Sequence, residues 1–348
     1  MAGSFYEHPP LAFASIAVGM LITGVITMNL RDLWEVTDFH YPVHWVWMSQ
    51  VGYSLAWIAH RLTKHTDPGC VPSTMGLQKG MGIHQKTYII AMILDAMSMV
   101  CAHEAMGSIS AAIVQMMRST KLIIAFFITT VVMQKKQLPR ERAGVLLVLL
   151  GVVVVVYGSV IPANTSSAGL DGSGSSKWFA LLLCFVAELF NVAFYLYQDH
   201  TSKKYDLPAF HTVGVMGMYG VIVFSVVLVN LNMANIENSF HAFDRFTHSW
   251  PVALSSIGYI ILLCVYEICG VVVSKQGSAI LRALIDVSRG ALIWAVELYC
   301  GWVQFEALHG IGFAIIICGT LVNTGIIHLA VLDPGPEGKS LVEDRQQS

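Results

Sequence analysis

Long apolar runs separated by short polar stretches organise this chain. Ten such runs recur, near 10–30, 43–60, 87–105, 109–133, 140–161, 178–199, 211–231, 251–273, 278–300 and 306–329. A bilayer core of about 30 Å needs roughly 20 apolar residues of helix. Runs of this length satisfy their backbone polar groups in hydrocarbon only as helices. The pattern therefore predicts an all-α polytopic membrane protein with ten transmembrane helices. No Lys or Arg precedes Arg31, so the first run reads as a span rather than a secretory signal.

The runs repeat. Sliding the chain on itself by 168 positions lays the five early spans on the five late ones, pairing Gly144 with Gly312, Gly151 with Gly319, Gly52 with Gly220 and Lys121 with Arg289. Five is odd, so the second set must enter the membrane in the opposite sense. Two inverted five-helix repeats follow, an architecture of secondary transporters with substrate held between the halves. The expected organisation is a first repeat over 1–161, a Ser/Gly-rich lumenal linker over 162–177, a second repeat over 178–332 and a cytosolic tail over 333–348. Thirteen loop Lys and Arg residues, from Arg61 to Arg345, fall on the side of the termini, and Arg31, Lys177 and Arg245 on the other. The positive-inside rule then puts both termini in the cytosol. Asn164, in the sequon Asn164-Thr165-Ser166, lies on the lumenal side and is a glycosylation candidate.

Composition narrows the function classes. The chain is 55% hydrophobic and 12% charged, against about 25% charged in a soluble domain. A net charge of −2 gives no basic excess for nucleic acid. Seven cysteines without a C-x-x-C pair, and thirteen histidines without zinc spacing, predict reduced thiols and no metal or other cofactor. There is no G-x-x-x-x-G-K-[ST] for ATP. Asp199-His200 with Asp206 misses the acyltransferase H-x-x-x-x-D spacing by one residue. No nucleophile-and-base set appears, so an enzyme is not expected. Trp45, Trp47, Trp57, Trp178, Trp250 and Trp302 sit near span ends, where interfacial anchors belong.

Ten ionisable residues lie inside the spans: Asp95, Glu104, Arg118, Lys121, Glu188, Glu267, Arg282, Asp286, Arg289 and Glu297. Each costs about 2.5–3.5 kcal/mol at a helix centre on insertion scales, so they pair or line a wet cavity. Gln115, Arg118 and Lys121 share one face of span four, and Arg282, Asp286 and Arg289 one face of span nine. Lys121 and Arg289, related by the repeat, would converge on a central cavity and suit a phosphate or carboxylate. Asp95 and Asp286 would orient these cations or exchange protons. Arg282 and Glu104, nearer span ends, would snorkel. Glu188 and Asn191 form a second polar stripe for substrate or proton coupling. Six acids against four bases among the ten cut against an exclusively anionic substrate.

Two stretches carry a family likeness. Asp95 with Gln115-Met116-Met117-Arg118 resembles the D…Q-M-x-R pattern of the F branch of solute carrier family thirty-five. Asp286-Val287-Ser288-Arg289, Ile293-Trp294, Gly301-Trp302 and Glu306-Ala307-Leu308-His309 are similar to that branch's ninth and tenth spans. The resemblance implies the drug/metabolite transporter (EamA-like) fold, with Asp95, Gln115, Arg118, Asp286 and Arg289 lining the cavity. Lys121 is not part of that pattern and rests on the repeat alone. The expectation is a secondary transporter of a small phosphorylated, nucleotide-sugar-like or carboxylated metabolite in an endomembrane (Golgi, lysosome or vacuole). Its partners are the lipid bilayer and the solute, and a homodimer is compatible with it. Two alternatives stay open: a proton-coupled exporter of cationic or amino-acid-like solutes, and a non-transporting membrane scaffold.

Overall fold

The computed structural model describes residues 10–36, 41–66, 81–106, 108–109, 111–132, 139–160, 174–205, 208–276, 279–301 and 305–324. Among them the chain is helical throughout, without a strand. In order the helices are α1 (Pro10–Val36), α2 (Pro42–Thr66), α3 (Met81–Met106), α4 (Ala111–Met117), α5 (Thr120–Phe127), α6 (Pro139–Val160), α7 (Gly174–Tyr205), α8 (Ala209–Met233), α9 (Ser239–His248), α10 (Trp250–Gln276), α11 (Ala279–Cys300) and α12 (Ala307–Thr324). Pro10, Pro42 and Pro139 open their helices, where the missing N–H costs nothing and the fixed φ suits the first turn. Among the described residues four helices are long and apolar enough to cross a membrane: Gln85–Met106, Lys177–Tyr205, Ala209–Met233 and Trp250–Gln276. Ala14–Leu30, Arg142–Gly158 and Ala307–Val322 are shorter apolar helices. Leu146, Leu150 and Val153 of α6 and Ile222, Val226 and Val229 of α8 bare their side chains. Such apolar rows suit lipid and not water.

Two compact units divide the chain, each drawing on both halves of the sequence: Met1–Glu104 with Ala193–Ile285, and Ala105–Val192 with Asp286–Ser348. In the first unit α2 packs on α8, and α1 and α2 pack on α10. The α2–α8 approach is set by small residues. An added Cβ at Gly214 would stand 2.4 Å from the backbone nitrogen of Trp57, and one at Gly217 only 2.3 Å from that of Ser54. Helix backbones meet this closely only where no side chain intervenes.

The short helix α9 was not expected from the span pattern, although Asn238 caps it by accepting from the His241 N–H at 3.0 Å. Just before it, Glu237 caps a different helix. Its carboxylate accepts from the backbone N–H groups of Val43 (3.0 Å) and His44 (2.8 Å) at the start of α2. An anion there satisfies orphan donors and meets the positive end of the helix dipole. Glu237→Ala should lower thermal stability by about 1 kcal/mol. Glu237→Gln should recover part of that loss, and an unchanged melting curve for both variants would remove the cap from the account. Trp45 also departs from expectation: it is buried against His103 and Tyr259 rather than placed at an interface.

In the second unit α6 and α12 run antiparallel in close contact. Cβ atoms at Gly151 and Gly319 would fall 2.7 and 2.8 Å from the carbonyl oxygens of Gly312 and Gly144. The fourth expected span, near 109–133, is not one helix. α4 ends at Met117, α5 begins at Thr120, and a π-helical turn covers Ile128–Val132. Through the break the ladder tightens to i−3, with Ser119 N–H on the Met116 carbonyl (3.1 Å) and Lys121 N–H on that of Arg118 (3.2 Å). The uniform face carrying Gln115, Arg118 and Lys121 is therefore interrupted.

Candidate functional site

In the second unit a charged cluster forms around Lys121, in the first turn of α5 and 1% exposed. Its Nζ lies 2.8 Å from Asp286 Oδ2, 3.5 Å from Glu188 Oε2 and 3.3 Å from Asn191 Oδ1. Glu188 and Asn191 stand one turn apart on α7, and Asp286 comes from α11. One turn further along α11, Arg289 brings a guanidinium nitrogen 3.6 Å from Asp286 Oδ1. Lys121 and Arg289, matched by the 168-residue shift, thus share one carboxylate. Arg118, at the helix break, acts electrostatically on Glu188. Its guanidinium has no carboxylate within 4.0 Å among the described residues, and its Nε has no hydrogen-bond partner there. Three cations thus gather on two carboxylates. Glu297, eight residues beyond Arg289, lies about 12 Å further along the helix.

The first unit holds a different polar cluster. Arg282 is fully buried and gives one nitrogen to Glu267 Oε1 at 2.6 Å and another to Gln198 Oε1. Its guanidinium also lies 4.1 Å from the Tyr195 ring centroid, a cation–π distance. Gly270 makes the slot, because a Cβ there would sit 2.8 Å from Arg282 Cζ. Snorkelling of Arg282 is thus corrected: a buried carboxylate one turn before a glycine draws the guanidinium inward. Glu104 is exposed, as expected near a span end. Asp95 belongs to this first unit as well, with Gln50 Nε2 donating to its Oδ2 at 3.4 Å. The carboxylate shared by Lys121 and Arg289 is that of Asp286, while the charges of Glu267 and Arg282 act on Asp95. The side chain of Gln115 and the sequon at Asn164 lie outside the described residues.

Cys101, Cys184 and Cys264 are buried free thiols. Among the described residues no group of three or more His, Cys, Asp or Glu side chains could hold a metal ion. Asp199 forms an ordinary i,i+4 pair with Lys203 at 3.0 Å.

Comparison with known proteins places this architecture. Residues 54–326 match the model of the UAA transporter family. The chain belongs to that family. Solute carrier family 35 member F6 of Homo sapiens is 24% identical over 254 residues, 70% of this chain and 67% of its own. Its Rattus norvegicus counterpart is 24% identical over 233 residues, 64% and 62% of the two chains, so the match spans under two thirds of that relative. An uncharacterised Schizosaccharomyces pombe protein is 22% identical over 251 residues, 68% and 75% of the two chains. One solved crystal structure superposes with a TM-score of 0.57 at 12% identity, over 89% of this chain and 97% of that one, a likeness of fold.

Membership makes this UAA-family chain a membrane transporter of small solutes and not an enzyme. It also bears out the resemblance to the F branch of solute carrier family thirty-five. The sequence pattern missed how Gln50, Gln198 and Glu267 would combine in the first unit. Their signal was present, since amides and acids inside apolar helices are costly and seek one another.

Proposed function

We propose that this UAA-family transporter carries a small anionic metabolite, phosphorylated, nucleotide-sugar-like or carboxylated. The observation that carries this reading is the surplus cation of the second unit: Arg118 has no ion-pair partner among the described residues beside a Lys121–Asp286–Arg289 pairing. A phosphate or carboxylate would supply the missing charge, with Arg118 and Arg289 as planar forks and Lys121 as a point charge. The acid excess counted along the sequence does not oppose this. Asp95 and Glu267 belong to the first unit, and Glu104 is exposed. Asp286 and Glu188 would hold the cations in place between substrates, with Gln115 and Asn191 as neutral contacts.

The cycle we envisage is alternating access between two inverted five-helix repeats, 1–161 and 178–332, across ten spans. Support comes from α6 and α12, where the 168-residue shift turns the Gly151–Gly312 approach into the Gly319–Gly144 one. The same contact appears twice, as a two-fold relation requires. The break at Arg118 supports the siting, because interrupted helices recur at transporter binding sites. The compartment we infer is an endomembrane, and the bias of loop Lys and Arg sets both termini in the cytosol.

Counterflow tests the substrate class. Proteoliposomes preloaded with nucleotide sugars, sugar phosphates or dicarboxylates should exchange label with at least one of them. They should exchange none with cationic amino acids. Exchange confined to cations would overturn the proposal.

A further inference from the structure

Asp95 poses a problem of its own. It is 4% exposed on a helix long and apolar enough to cross a membrane, and among the described residues it has no cation within 4.0 Å. The one guanidinium of its cluster, Arg282, is held by Glu267 at 2.6 Å. Two carboxylates therefore share one cation, in surroundings where an unpaired carboxylate costs several kcal/mol. Gln50 supplies the second observation. It is fully buried, its Nε2 points to Asp95, and its Oε1 has no hydrogen-bond partner among the described residues. An acceptor left idle beside a carboxylate is what a carboxylic O–H would satisfy. Gly220 makes the room, since a Cβ there would stand 2.2 Å from that same Oε1.

From this geometry we infer that Asp95 and Gln50 form a proton-binding site in the first unit, separate from the anion-binding cluster of the second. The proton comes from water, converts the Asp95 carboxylate to the acid, and is shared with the Gln50 amide. The amide can turn so that either its oxygen or its nitrogen faces Asp95, so it serves both forms. A proton fits better than a metal cation because no metal-holding cluster of His, Cys, Asp or Glu occurs among the described residues. The groups that bear on Asp95 are Tyr53 and Gln50 of α2, Glu267 of α10 and Arg282 of α11, with Tyr259 and Tyr266 of α10 bearing on Tyr53. Protonation leaves Glu267 and Arg282 as a balanced pair. Arg282 stands one helical turn before Asp286 on α11, so the same helix carries a partner of the proton site and the carboxylate that holds Lys121.

The proton site is tested without a substrate, so it stands or falls apart from the anion reading; only its coupling to transport rests on that reading. Infrared difference spectra of the purified full-length protein across a pH titration should show a carboxylic C=O band. The band should shift when the aspartate carboxyls are labelled with carbon-13, and vanish in Asp95→Asn. Isotope labelling leaves the protein wild type, so poor folding of the variant does not spoil the test. Absence of any titrating carboxylic band, or a band that neither shifts with label nor vanishes in Asp95→Asn, overturns the inference. A sodium-dependent thermal shift lost in Asp95→Asn without such a band assigns the site to a metal cation and overturns it equally. In proteoliposomes, a one-proton cycle supports about a tenfold solute gradient per unit of pH difference. Asp95→Asn should abolish that pH dependence.

Discussion

Replacing Lys121 with alanine should abolish counterflow, lowering the rate by about two to three orders of magnitude. Its Nζ is the point where Asp286, Glu188 and Asn191 meet. Without it two buried carboxylates lose their nearest cation, and breaking a buried pair in this way costs about 3–5 kcal/mol. Part of that cost falls on folding and part on substrate, and a second substitution separates them. Lys121→Ala with Asp286→Asn removes the stranded charge and should restore much of the melting temperature. Transport should stay absent, because the cation that meets the anion is still missing. Recovery of both together would make Lys121 a purely structural residue. Lys121→Arg keeps the charge but spreads it over a fork, and should retain a minor fraction of the rate. Arg289→Ala should have a smaller effect on stability, given its longer 3.6 Å contact to Asp286. Wild-type counterflow in Lys121→Ala and Arg289→Ala alike would sink the site.

The Lys121–Arg289 relation was readable from the chain because it needs only a register, and the spacing of the apolar runs supplies one. Their meeting on Asp286 follows the same logic, since Asp286 and Arg289 share a helix face. Arg282 was misread because its fate depends on a glycine of another helix. Depth along span nine suggested an outward path, whereas Gly270 opens an inward one toward Glu267. The neighbours of Asp95 were hidden for a related reason. A helix face fixes the direction in which a side chain points, not the helix it meets. The break at Arg118-Ser119 has no Pro or Gly to announce it. Ser119 and Thr120 are weak helix formers whose hydroxyls compete for backbone groups, a bias too small to end a helix without tertiary help. The acid excess that once argued against an anion was real in number. The anion proposal is compatible with it, because charge balance is a property of each cluster, not of the chain.

Stability should respond most to the α2–α8 contact, and Gly217→Ala is the most direct probe. The new Cβ would stand 2.3 Å from Ser54 N, 2.5 Å from the Tyr53 carbonyl carbon and 2.6 Å from Tyr53 Cβ. Two of these are backbone atoms of a helix, so no side-chain rotation relieves the clash and α8 must back away from α2. Overpacking of this kind costs about 1–3 kcal/mol, and the upper end is expected here because rigid groups oppose it. Intrinsic propensity works in the other direction, as alanine favours a helix interior over glycine by about 1 kcal/mol. Gly19→Ala isolates that opposing effect, since nothing lies within 4 Å of its added Cβ. A thiol-reactive fluorophore can follow both variants, because Cys184 and Cys264 are buried and react only on unfolding. Gly217→Ala should melt well below wild type and Gly19→Ala at or slightly above it. Equal melting of the two variants would mean that α2 and α8 do not meet through their backbones.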